Sequence, residues 1–122
     1  GYLYWMHFAE GSLMTLMLIA LVLSRVPEAR EGPVQKRIAK RLADMLAFVD
    51  ARIAGHPYFA GNQFTAADIL MSFPLTTMKR YLDYDPAPLA HVAEWLARIE
   101  ARPAYAKAMA LAGPDAPRRD AA

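Results

Sequence analysis

The 122-residue sequence contains no cysteine, which excludes a disulfide framework, a thiolate metal site and a cysteine nucleophile within it. Its 3 histidines include no pair at ligand spacing, so no metal is expected. Charge of one sign is also missing: 14 Lys and Arg stand against 12 Asp and Glu, for a net charge of +2. So small an excess makes nucleic acid and an anionic membrane surface poor partners. The longest apolar run, residues 13–23, is interrupted only by Thr15. It falls short of the roughly 20 residues that cross a bilayer. The charge ahead of it is Glu10, whereas a secretory signal carries a basic stretch there. The run reads as a buried helix, and the expected setting is soluble and cytoplasmic. The first residue is Gly1 rather than Met, as in a piece of a longer polypeptide.

Glycine is scarce, at 6 residues against 24 alanines, while 56% of the sequence is hydrophobic. That composition can bury a core and excludes a disordered or collagen-like chain. The length fits one domain. No stretch of alternating β-branched residues points to a sheet, and apolar positions recur at three and four nearly throughout. The expectation is an all-α bundle of about five helices over residues 1–112, followed by a flexible tail over 113–122.

The first helix is expected over residues 2–26, apolar almost all round from Leu13 and ended by Pro27. The second opens near Pro33, which suits the first turn. It carries an apolar stripe of Val34, Ile38, Leu42, Met45, Leu46, Val49 and Ile53, and closes at Gly55. Lys36, Arg37, Lys40 and Arg41 read as its solvated face, since no aromatic residues interleave. Phe64-Thr65-Ala66-Ala67-Asp68-Ile69 then reads as a helix start. Thr65 caps, Asp68 reaches back as the third residue of a capping box, and Phe64 and Ile69 sit where a hydrophobic staple would close. Thr65 and Asp68 are therefore assigned to folding rather than catalysis. This third helix is expected to reach about Tyr81, bent at Pro74. A turn-rich link, Asp83-Tyr84-Asp85-Pro86-Ala87-Pro88, leads to a helix over 89–101, and Pro103 opens a short last one.

Three segments together carry a resemblance. They are Tyr4-Trp5-Met6-His7-Phe8-Ala9-Glu10-Gly11-Ser12, the stretch from Tyr58 to Asp68 with Gly61 ahead of the capping box, and Arg102-Pro103-Ala104-Tyr105. The chain resembles the C-terminal helical domain of cytosolic glutathione S-transferases, in a bacterial and fungal subgroup, over everything before the tail. The resemblance implies an N-terminal thioredoxin-like domain, absent from this sequence, that supplies the residue activating the glutathione thiol. It also implies glutathione as co-substrate with no prosthetic group, a homodimer, and a helical domain that walls the electrophile pocket and forms much of the dimer interface.

At 100° per residue, Tyr4, His7, Gly11, Met14 and Leu18 share one strip of the first helix. Apolar walls with a few placed hydrogen-bonding groups suit a small-molecule pocket, and Gly11 permits close approach. Equally, His7 fits a core histidine bonded to a neighbour, and Tyr4 a packing residue at the rim. Glu10, beside the strip, could hold the glutathione amino group or form a salt bridge. The candidate binding set is Tyr4, His7, Glu10, Gly11 and Met14, with no catalytic residue in this segment. Trp5 is expected to pack or to meet a dimer partner, and with Met6, Leu13 and Met17 it lies on another face, which either meets a symmetry mate or is buried by helices two to five in a monomer. Tyr81, Tyr84 and Tyr105 fit either a pocket rim or ordinary surface. Two other functions fit the same residues: a non-catalytic dimerisation or protein-docking module, and an apolar-ligand-binding protein.

Overall fold

The computed structural model describes residues 1–82 and 88–117. The link residues 83–87, Tyr84 among them, and the tail residues 118–122 lie outside the described residues. What is described is helical with no β-strand; one antiparallel bridge joins Tyr58 and Gly61.

The first helix is continuous but not uniform. α1 (Tyr2–Phe8) passes into a π-helical stretch (Ala9–Met14) and then α2 (Thr15–Ser24), with helical backbone angles at both junctions. π-helical pairing runs i→i+5, so each turn there holds about one residue more than an α-turn. Thr15 Oγ1 donates to the Glu10 carbonyl at 3.1 Å, five residues back. The helix from Tyr2 to Ser24 has 23 residues and contains an 18-residue window of mean hydropathy 1.7, long and apolar enough to cross a membrane by length and composition. The 13–23 run thus underestimates the helix that contains it. One face of that helix nevertheless belongs to the core: Trp5, Phe8, Leu13, Leu16 and Met17 are buried in the same cluster as residues of the later helices.

α3 (Pro33–Ile53) has Pro33 at its first position and buries Leu42, Leu46, Val49 and Ile53. Just beyond it, Gly55 takes φ +75°, a left-handed angle that glycine adopts without strain. α4 (Ala66–Thr76) contains Pro74 and stops two residues after it, with a short 3₁₀ turn (Met78–Arg80) following. The helix therefore falls short of Tyr81. Proline lacks the N–H that an α-helical pairing needs and its ring crowds the carbonyl four residues back. α5 (Ala90–Glu100) and α6 (Pro103–Ala112) complete the bundle.

α4 lies at the centre, touching α1, the π stretch and α5, while α3 packs on α2 and α5. α6 packs on α5 and buries none of its own residues. After α6 the chain makes a turn, with the Ala116 N–H donating to the Gly113 carbonyl at 3.0 Å. Both terminal nitrogens of Arg80 donate to Asp115, at 3.0 and 3.1 Å.

Candidate functional site

The site is built on the first helix, and the π stretch decides which residues face outward. Tyr4, His7, Glu10 and Gly11 are exposed, whereas Met14 is buried. The wider π turn alters the angular step locally, and Met14 is its last residue. Met14 consequently leaves the strip and enters the core, and Thr15, Leu18, Ile19 and Val22 continue the exposed face. A uniform 100° step keeps Leu18 and Val22 on the strip but does not show Met14 leaving it.

Trp5 packs inside the domain, and Leu13 and Met17, on the face the sequence left open to a dimer partner, are core as well. Trp5 is 3% exposed, and Leu13 and Met17 are fully buried; Met6 is half-buried. Trp5 sits in an aromatic cluster with Phe8, Phe48 and Phe59, at ring-centre distances of 5.0, 5.8 and 5.1 Å. Phe59 in turn meets Trp95 of α5 edge-on at 5.0 Å. Tyr4 stacks on Phe8 at 6.0 Å, which fixes the ring against the outer edge of this cluster.

Phe59 is held in place by the loop that carries it. The Tyr58 and Gly61 backbones exchange two hydrogen bonds of 3.1 Å, and Gly61 has φ +125°, which side chains disfavour. Arg52 donates to the Phe59 carbonyl at 3.2 Å and Arg98 to the Pro57 carbonyl at 2.7 Å. Below the loop lies Asp68, fully buried. Its Oδ2 accepts from the Thr65 N–H at 3.0 Å and the Thr65 hydroxyl at 3.3 Å. Its Oδ1 accepts from the Phe59 N–H at 3.1 Å and the Trp95 indole N–H at 3.0 Å. Thr65 Oγ1 also accepts from the Ala67 N–H at 3.3 Å, so α4 begins with a capping box. Ile69 is 57% exposed, and a staple with Phe64 buries little of it.

A second carboxylate works between helices. Asp50 of α3 accepts from the Val92 N–H at 2.8 Å through Oδ1 and pairs with His91 Nδ1 at 2.9 Å through Oδ2. α5 has no side-chain cap of its own, so Asp50 caps it from across the interface. Burial pushes the Asp50 carboxyl up, but the hydrogen bonds from His91 and Val92 and the His91 charge outweigh it and hold the group below its ordinary value. Sequence reasoning missed this link; the available signal was that α5 starts at Leu89-Ala90 with no capping residue.

Among the described residues, no group of three or more His, Asp and Glu is placed to hold a metal ion. Tyr81 is 52% exposed, and Tyr105 is half-buried at the edge of a cleft between α4 and α6. The strip of Tyr4, His7, Glu10 and Gly11 can offer a phenol, an imidazole and a carboxylate on open surface; it contains no nucleophile poised beside a base.

Residues 13–103 match the family model of the glutathione S-transferase C-terminal domain. Over 113 residues the chain is 34% identical to Glutathione S-transferase 3 of Schizosaccharomyces pombe, covering 82% of this chain and 46% of that protein. It is 28% identical over 117 residues to Glutathione S-transferase 1 of Saccharomyces cerevisiae, covering 84% and 50% respectively. Among solved structures, a glutathione S-transferase from Actinobacillus pleuropneumoniae aligns with a TM-score of 0.75 at 28% identity, over 88% of this chain and 47% of that one. The chain spans about half the length of the curated relatives it matches.

Proposed function

The chain belongs to the glutathione S-transferase family, as its C-terminal helical domain, and we propose that it walls the electrophile pocket of a complete, cytoplasmic, homodimeric glutathione transferase. The observation that carries this reading is the exposed strip of Tyr4, His7, Glu10 and Gly11. It lies on a helix whose other face is core, in a chain about half as long as its relatives. The remaining half of such a protein would bind glutathione and activate its thiol. The thiolate sulfur then bonds to the electrophilic carbon, either as a leaving group departs with its bonding pair or as the π pair of an activated double bond shifts to the adjacent atom, which is then protonated.

In this reading the helical domain contributes proximity and orientation. The Tyr4 ring and the Gly11 backbone shape the apolar wall, and the Tyr4 hydroxyl and His7 imidazole orient polar substituents of the electrophile. Glu10 would meet the glutathione amino group. Met14, buried beneath, backs this wall without lining it. Glutathione is the co-substrate and no prosthetic group takes part.

The test uses the full-length protein. Tyr4→Phe and His7→Ala should each raise KM for an apolar electrophile several-fold while leaving KM for glutathione within about twofold, as expected when uniform binding of one substrate is lost. Unchanged electrophile KM in both variants would remove the strip from the pocket. A full-length protein with no conjugating activity would favour the docking-module reading instead.

A further inference from the structure

Hydroxyl side chains in α2 and α4 bond to carbonyls behind them. Ser24 and Ser72 donate three residues back, to Leu21 and Ile69, and Thr76 donates four back, to Ser72. Those are the reaches that an α-helical turn allows. Thr15 differs, donating at 3.1 Å to the Glu10 carbonyl five residues back, while its own N–H donates to the Ser12 carbonyl. A reach of five needs the wider turn of the π stretch, where pairing runs i→i+5, so this bond favours that geometry over an α-turn. Gly11 sits inside the same turn. A Cβ there would meet nothing within 4 Å, so packing in the domain does not require glycine, yet glycine weakens the α-helical alternative. Gly11 loosens the turn and Thr15 fixes it. Glu10, whose carbonyl is the one held, is exposed, and its carboxylate makes no salt bridge among the described residues.

We propose that Thr15 is a positioning residue: by holding the Glu10 carbonyl, its hydroxyl sets the backbone from which the Glu10 carboxylate reaches the glutathione amino group. This rests on the reading of Glu10 given above. Thr15 touches no substrate in this role. The Glu10 side chain leaves the same Cα that carries the held carbonyl, so a tilt of that peptide plane turns the carboxylate. A carboxylate contact to an ammonium is charge-assisted and directional, and a group already in place when the ligand arrives avoids part of the cost of ordering it. In an α-turn the hydroxyl would lose that carbonyl, and the step about the axis would return to 100° per residue. Thr15 is exposed and outside the core cluster, so its side chain adds no apolar packing to the domain.

The full-length protein, its Thr15→Val, Thr15→Ser and Glu10→Gln variants, and the double variant of Thr15→Val with Glu10→Gln are titrated with glutathione by calorimetry. Glu10→Gln should raise Kd about tenfold, as for a lost charge-assisted contact, and Thr15→Val about threefold, as for one lost hydrogen bond. The double variant should stay near the Kd of Glu10→Gln, because Thr15 acts through Glu10 and has nothing left to orient. Thr15→Ser should match the parent, and KM for the electrophile should stay within about twofold in Thr15→Val, whereas a role in folding alone would raise it too. Thr15→Ala, which also lacks the hydroxyl but is a stronger helix former, repeats the measurement should valine disturb the helix. Parent Kd in both Thr15→Val and Thr15→Ala, Thr15→Ser as weak as Thr15→Val, or losses that multiply to about thirtyfold in the double variant would overturn the proposal and leave the reading of Glu10 standing. Glutathione binding unchanged in Glu10→Gln would remove that reading, and this proposal with it.

Discussion

Asp68 of α4 accepts the indole N–H of Trp95 of α5 at 3.0 Å, with the carboxylate fully buried and the tryptophan side chain sealed beside it. The two residues are 27 apart in sequence. Through the same oxygen Asp68 holds the Phe59 N–H, so one side chain joins the start of α4, the loop before it and the middle of α5. A residue that reads locally as a cap is thus the junction of three segments.

Thr65 and Asp68 should therefore differ sharply on substitution. Thr65→Ala removes one capping acceptor and should cost about 1 kcal/mol. Asp68→Asn keeps the shape but turns an amide N–H₂ towards donors, and breaking a buried charged network costs about 3–5 kcal/mol. Denaturant midpoints with matched slopes measure both. Equal losses would mean that Phe59 and Trp95 gain little from the carboxylate.

Asp50 gives the bundle an acid-sensitive contact. Its carboxyl titrates lower in the folded state than the ordinary 3.8, so its contribution is complete above that value. The contribution is lost as pH falls through the lower folded-state value. Asp50→Asn should flatten the acid limb of a stability–pH curve below about pH 4, with little change in slope near neutrality. Asp50→Ala should in addition cost about 1 kcal/mol at neutral pH, through the lost α5 cap. Identical acid limbs for Asp50→Asn and the parent would refute the assignment.

What the sequence reveals here is what lies within a few residues. The Thr65-to-Asp68 spacing, Pro33 and Pro103 at helix starts, and the α3 stripe all depend on local geometry. The π stretch has no comparable residue signature, so a uniform helical step carried Met14 to the wrong side of the first helix. Leu13 and Met17 fall opposite the strip at that step as well, but periodicity does not tell that this side meets the core rather than a partner. Asp68 to Trp95 and Asp50 to Val92 connect separate helices, and no periodicity encodes which helices meet.

The purified 122-residue segment should show no glutathione-conjugating turnover. It has no cysteine, and its serines and exposed tyrosines have no strand–turn–helix setting in which a thiol could be activated. Ser24 and Ser72 both donate to helix carbonyls at 2.7 Å. Turnover above the uncatalysed rate with a generic electrophile, lost on removing the segment from the assay, would contradict the division of labour proposed above.

The homodimer expected of the complete protein must use a face other than Trp5, Leu13 and Met17. Leu18, Ile19 and Val22 of α2 are 48%, 43% and 60% exposed, and Val34 and Phe48 add apolar surface on α3, which packs against α2. Apolar surface concentrated on two adjoining helices is the kind that a partner covers. A two-fold axis would use it on both chains, so a single substitution enters the interface twice. Ile19→Glu with Val22→Glu should accordingly convert a dimer to a monomer in sedimentation at micromolar concentration. The helical signal in circular dichroism should be preserved, because neither side chain belongs to the core. His7 and Gly11 occupy the other end of the same exposed face, so electrophile KM in the monomeric variant separates the two uses of the helix. A monomer-sized parent protein would remove the dimer and leave this face to the rest of its own chain.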